Sequence, residues 1–188
     1  IVHALDGHKG DGRHGRLSPV ATAATLMEEL SPDGTRSIRL LPFSIAGNWL
    51  HDAIDQTYDP VFTIIRDYLQ QIGRINVVPL PEVPDPSVEM LPGLDPFLLE
   101  GLTLGWSKMD IEDRARSLST YFLPLLSNER PSTPRIEELG WHRILAPDWS
   151  RDLASQLHDI SIEWNRSQEV RLFASRTVDA LVRTGRYE

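Results

Sequence analysis

Apolar positions along this chain recur at two spacings, and the alternation between them predicts its elements. Residues 1–5 are a short apolar run broken by Asp6-Gly7, which predicts a strand running into a loop that holds Gly7, Gly10, Gly12 and Gly15. Ser18 before Pro19 pairs a capping residue with one whose φ is pre-set for a first helical turn. Val20, Ala23, Ala24, Met27 and Leu30 then follow at helical spacing, so a helix runs to about Leu30 and stops at Ser31-Pro32-Asp33-Gly34. Residues 37–43 read as a buried strand that Pro42 brings to an end. Between Ala46 and Ile72 the apolar residues Trp49, Ile54, Val61, Ile64, Ile65, Tyr68, Leu69 and Ile72 are helical in pattern, divided at Pro60 and closed by Gly73. Residues 75–80 then give a third strand.

Strand, helix, strand, helix, strand is the order of right-handed crossovers in a parallel sheet. It predicts an α/β fold with a mostly parallel central sheet flanked by helices, as a single domain over residues 1–188. Such sheets bind ligands at the carboxyl ends of their strands. Beyond the third strand, six prolines between Pro79 and Pro96 predict a long surface excursion. A fourth strand at 102–106, a helix at 111–126, helical stretches around Glu137 and at 152–158, and a last strand at 177–182 complete the reading.

Composition narrows the function. With 19 basic against 27 acidic residues and a net charge of −8, a nucleic-acid partner held by counterion release is not expected. An anionic ligand would be held locally, by a few arginines, by backbone N–H groups or by a metal. The absence of cysteine excludes a disulfide frame and a thiolate nucleophile, and with no long apolar run or charged leader it gives a cytoplasmic expectation. The chain starts at Ile1 rather than Met, so residues are expected to be missing or removed at that end.

Three polar clusters follow predicted strand ends: Asp6-Gly7-His8, Ser44 with Asn48-Trp49, and Arg183-Thr184-Gly185. In order and content they resemble the cis-prenyltransferase family of the undecaprenyl diphosphate synthase type. That family carries Asp-Gly-Asn, then Ala-Phe-Ser-Thr-Glu-Asn-Trp, then Asp-Leu-x-Ile-Arg-Thr-Gly-Gly-Glu. Here the second segment reads Pro42-Phe43-Ser44-Ile45-Ala46-Gly47-Asn48-Trp49, and the last reads Asp179-Ala180-Leu181-Val182-Arg183-Thr184-Gly185-Arg186. The resemblance implies the family's α/β fold, an allylic prenyl diphosphate substrate, Mg²⁺, a homo- or heterodimer, and peripheral membrane association through the lipid substrate. It implies Asp6 as metal ligand and catalytic residue, Asn48 as a second catalytic residue, and Gly7, His8, Gly10, Arg13, Phe43, Ser44, Trp49 and Arg183 as substrate contacts. His8 stands where the family has Asn, Gly47 stands where it has Glu, and the Gly-His-Lys-x-Gly segment is absent. The chain also stops before the Arg-x-Ser-x-x-x-x-Trp-Gln segment that helps bind isopentenyl diphosphate and build the dimer. Prenyl transfer is the first expectation, and hydrolysis or cyclisation, as in tuberculosinol synthases, the second; Ser132 to Leu139 faintly resembles that branch. A non-catalytic subunit is the third.

A diphosphate leaving group concentrates negative charge, which Arg forks, N–H groups and Mg²⁺ meet. Its tail needs an apolar tunnel, for which Leu26, Leu30, Phe43, Trp49, Leu50, Ile54 and Phe62 are candidates, although apolar residues at helical spacing are ordinarily core. Each polar candidate also has a plain structural role: Asp6 closing a turn, Ser44 and Asn48 capping a helix, Arg183 in a surface ion pair. Two other readings use different residues. His3, His8 and His14 with Asp6 and Asp11 suggest a metal site or a solvated loop. His51-Asp52 with His14 and Asp113 suggests an HD-type phosphohydrolase, which predicts an all-helical fold; Leu157-His158-Asp159 repeats its tripeptide. The stretch 151–159 also superficially resembles a histidine-kinase phosphoacceptor helix, but no nucleotide-binding domain follows it.

Overall fold

The computed structural model describes residues 19–30, 34–49, 60–91, 93–126 and 131–187. Helix α1 is Pro19–Leu30 and α2 is Thr35–Leu40, which runs directly into a 3₁₀ segment, Leu41–Trp49. Helix α3 is Pro60–Gln71 and β1 is Asn76–Val78. After a 3₁₀ turn at Leu80–Glu82 come α4 (Pro96–Trp106), α5 (Ile111–Leu126) and α6 (Thr133–Trp141). Strand β2 (Arg143–Leu145), α7 (Leu153–Arg166) and α8 (Val170–Thr184) complete the order. The sheet among these residues has two antiparallel strands, in the register Asn76↔Leu145, Val77↔Ile144 and Val78↔Arg143.

The expected parallel sheet is therefore overturned: the protein is mostly helical. Of the predicted strands among the described residues, only the one at 75–80 holds a strand, Asn76–Val78, and its partner is antiparallel. Residues 37–43 are helical, divided between α2 and the 3₁₀ segment, which buries Leu41, Pro42, Ser44, Ile45 and Trp49. Residues 102–106 belong to α4, which starts where the Asp95 side chain accepts from Phe97 N at 2.9 Å ahead of Pro96. Residues 177–182 belong to α8, whose inward positions Phe173, Thr177, Leu181 and Thr184 keep helical spacing. Residues 1–5 lie outside the described residues.

The 3₁₀ segment is the centre of the packing, in contact with α1, α3 and α7. That position explains why Leu41, Pro42, Ser44, Ile45 and Trp49 are all buried. Helix α3, packed on it through Phe62 against Trp49, also buries Ile65 and Leu69, and it ends as the sequence predicts, at Gly73. There the N–H of Gly73 reaches Gln70 O at 3.0 Å and that of Arg74 reaches Leu69 O at 2.8 Å. This pair of bonds, with φ at +69° on Gly73, is the Schellman ending. Helix α5 buries Leu118, Tyr121, Phe122 and Leu125, and α6 lies close against it because Gly140 has no Cβ to meet the Phe122 ring. No helix among the described residues is long and apolar enough to cross a membrane.

Candidate functional site

Three polar assemblies stand out, and two of them are built to hold the fold. In the first, Arg135 and Glu138, on successive turns of α6, form a buried ion pair. Asn48 donates its Nδ2 to Glu138 Oε1 at 2.8 Å, and its carbonyl accepts from Arg135 Nη2 at 2.5 Å. The Arg135 guanidinium also lies 5.6 Å from the Trp49 ring, which packs edge-on against Phe62. Asn48 and Trp49, expected as a catalytic residue and a substrate contact, thus tie the end of the 3₁₀ segment to α6.

The second assembly is fully buried. Arg143, in β2, forks its guanidinium onto Asp152, with Nε to Oδ2 at 2.8 Å and Nη2 to Oδ1 at 3.0 Å. Asp152 also caps α7, accepting from Ala154 N at 3.1 Å, and takes the hydroxyl of Ser155. Ser155 Oγ in turn accepts from Ser87 N at 2.8 Å, which anchors the proline-rich stretch on α7. Neither Arg143 nor Asp152 has any exposed surface, and both are paired internally.

The third assembly is open. A cleft of about 100 Å³ lies where four segments meet. Ile38, Arg39 and Pro42 come from α2 and the 3₁₀ segment, and Gly73 and Arg74 from the turn after α3. Asp148 and Trp149 come from the β2–α7 connection, and Thr184 and Gly185 from the end of α8. Trp149 Nε1 donates to Gly185 O at 3.1 Å and Arg186 Nη1 to Asp148 O at 2.9 Å, so that connection is fastened to α8. Arg39 Nη1 donates to Arg183 O at 3.2 Å, and the Arg39 side chain is otherwise exposed. Arg74 Nε is buried with no acceptor among the described residues. Among the described residues neither arginine forms a salt bridge, and the charge of Arg74 acts on Glu28 and Tyr68.

The predicted site residues divide accordingly. Asp6, Gly7, His8, Gly10 and Arg13 lie outside the described residues, as do His3, His14, His51 and Asp52. Phe43 is half-buried beside the cleft, its ring 5.3 Å from that of Trp149. Ser44 is buried, its hydroxyl without a partner among the described residues. Arg183 contributes its carbonyl to Arg39, while its side chain is exposed. The Arg-Thr-Gly motif is a helix ending, not a strand ending: Gly185, at φ +76°, donates its N–H to Leu181 O at 2.8 Å. Of the tunnel candidates, Leu26 and Leu30 are exposed, whereas Trp49 and Phe62 are packed core. Asp113 sits in the exposed first turn of α5 beside Arg116, at 2.8 Å, and the His14, His51 and Asp52 read with it lie outside the described residues. The described residues hold no group of three His, Asp or Glu side chains placed to bind a metal ion.

Sequence reasoning missed Arg39, Arg74 and Asp148. Arg74 carried a signal, since the residue after a helix-ending glycine is placed by that ending. Arg39 and Asp148 carried none. No family model matches the chain, and neither the curated proteins nor the solved structures compared with it give a match.

Proposed function

We propose that the protein binds a small anion in the cleft between Arg39 and Arg74. One observation carries the reading: two arginines line the same small cleft without a carboxylate salt bridge among the described residues, and Arg74 keeps a buried Nε–H with no acceptor among them. A buried donor without a partner costs about 1–3 kcal/mol, which a bound anion would return. Arginine forks suit carboxylate and phosphate oxygens alike. Thr184 Oγ1, the hydroxyl on the cleft, is held within 2.8 Å of Ala180 O and Arg186 O, so it supports binding and not attack.

The allylic prenyl diphosphate implied by the sequence resemblance is one anion of this class. As a proposal it extends to the diphosphate head, which is what a cleft of about 100 Å³ takes. Mg²⁺ chemistry and leaving-group displacement would rest on Asp6, outside the described residues.

The test is titration calorimetry of the whole chain with pyrophosphate and with farnesyl diphosphate, each with and without Mg²⁺, on wild type and Arg74→Gln. Loss of a charge-assisted contact of about 1.5–3 kcal/mol predicts roughly ten- to hundredfold weaker binding in the variant. Unchanged affinity in Arg74→Gln would remove the cleft from the account. Tighter binding of farnesyl diphosphate than of pyrophosphate would place a tail site beside the head site.

A further inference from the structure

Helix α4 is apolar on both sides. Its inward side carries Leu99 and Trp106, seven residues apart and both buried. Its outward side carries Phe97, Gly101 and Leu104, four and three residues apart and so on one line along the helix, with Leu98 next to that line. Phe97 is 81% exposed, Leu104 77% and Leu98 63%. Glu100 is the only charged residue of the helix. A helix that is apolar all round is ordinarily buried all round. Gly101 points the same way. Glycine weakens a helix relative to alanine, yet a Cβ at Gly101 would meet nothing within 4 Å, so packing within the chain gives no reason for it. Gly105, one turn on, differs: a Cβ there would lie 3.1 Å from Met109 Cε.

We propose that the outward face of α4 pairs with the same face of a second copy of this chain, the two helices crossing at Gly101. The pairing is independent of the anion cleft. Three properties select a second copy. The stripe is its own complement, because a large side chain stands before Gly101 and another after it. A two-fold axis across the helix at Gly101 sets the two copies antiparallel, with Phe97 of one beside Leu104 of the other and the glycines where the backbones come closest. The face is neutral apart from Glu100, so two chains of net charge −8 meet there with little like-charge contact, whereas an anionic lipid surface would repel the chain. The area also fits. At on the order of 200 Å² for a whole side chain of this size, the three exposed residues carry about 400 Å² of apolar surface, as much as the roughly 300–600 Å² of the largest patch on a typical monomer. Two such faces with their rims bury about 1,000 Å², which suits a weak, reversible pair and not a permanent one.

The experiment is sedimentation velocity of the whole chain from about 1 μM to several hundred μM, the range in which a pair of this size forms, on wild type, Leu104→Glu and Gly101→Ala. The wild type is expected to pass reversibly from monomer to dimer, and Leu104→Glu to stay monomeric throughout. Gly101→Ala carries the sharper expectation, since its two effects have opposite signs. The added methyl separates the crossing helices and weakens the dimer roughly tenfold, while thermal unfolding of the dilute monomer moves up because alanine is the better helix former. That variant keeps the test intact if Leu104→Glu fails to fold. A wild type that is monomeric at every concentration would overturn the pairing, as would aggregation without a discrete dimer. Association that Leu104→Glu or Gly101→Ala leaves unchanged would overturn it too. Co-sedimentation of a monomeric chain with phosphatidylcholine vesicles would give the face to lipid instead.

Discussion

Arg143 and Asp152 show how a single pair can govern a fold of this size. Both are removed from water, and each of the two guanidinium nitrogens facing the carboxylate has its own oxygen. Removing one member strands the other, which typically costs about 3–5 kcal/mol against a total stability of roughly 5–15. Arg143→Leu is therefore expected to lose several kcal/mol in urea unfolding. Arg143→Leu with Asp152→Ser, which removes the orphaned charge but keeps a side chain able to cap α7, is expected to lose less. If the double variant is the weaker one, the cost lies in packing and not in the stranded charge. The same scale shows what residues alone could reveal. The sequence reads Asn48 and Trp49 as a catalytic residue and a substrate contact, yet their partners in the fold are Arg135 and Glu138, nearly ninety positions away, and no local pattern announces that meeting. A motif records that a polar residue matters, and only the fold says whether it faces a ligand or a neighbouring helix.

At the scale of elements, helices with strong ends were legible and short apolar runs were not. Pro60 and Gly73 bracket α3 because one fixes φ and lacks an N–H while the other accepts the left-handed conformation. Helix α5 runs from 111 to 126 as its apolar spacing predicts. The windows 37–43, 102–106 and 177–182 each hold five to seven residues, too few for a period of 3.6 to separate from one of 2. Their helical character comes from caps and spacing outside the window. The glycine endings yield a comparison. Gly73 and Gly185 both have positive φ, but a Cβ at Gly73 meets nothing within 4 Å, whereas at Gly185 it would lie 2.8 Å from Arg39 Cβ. Gly73→Ala should cost about 1 kcal/mol of conformational strain, and Gly185→Ala about 2 kcal/mol or more because Arg39 must move as well. For a chain of this length that is a difference of about 2–4 °C in melting temperature. Equal losses at the two positions would mean that Arg39 yields without cost.

For the whole molecule, what sequence could not reach is the long-range arrangement. Strand β1 pairs with residues 143–145, and the cleft gathers side chains from positions 38 to 185, so both arise only when distant segments dock. The pH dependence of stability is a property of that docked state. His142, at the end of α6, has its pKa lowered by burial first and by Arg66 second, against the opposing pull of Glu138, Glu137 and Asp67. As the pH falls below the unfolded imidazole pKa of about 6.5, the unfolded chain takes up a proton that the native state still refuses. Stability is thus fully present above that pH and is lost between it and the lower folded value, with no further loss from this group beyond. Asp159 acts in the other direction. Burial raises its pKa in spite of Arg151, so on further acidification the native state is protonated first and stability is gained. The expected profile is a fall in melting temperature that begins near pH 6.5, eased at more acid pH by Asp159. His142→Gln keeps a polar side chain of similar reach without the titration, and should flatten the upper limb of that profile. A limb of unchanged slope in His142→Gln would assign the proton uptake to another group.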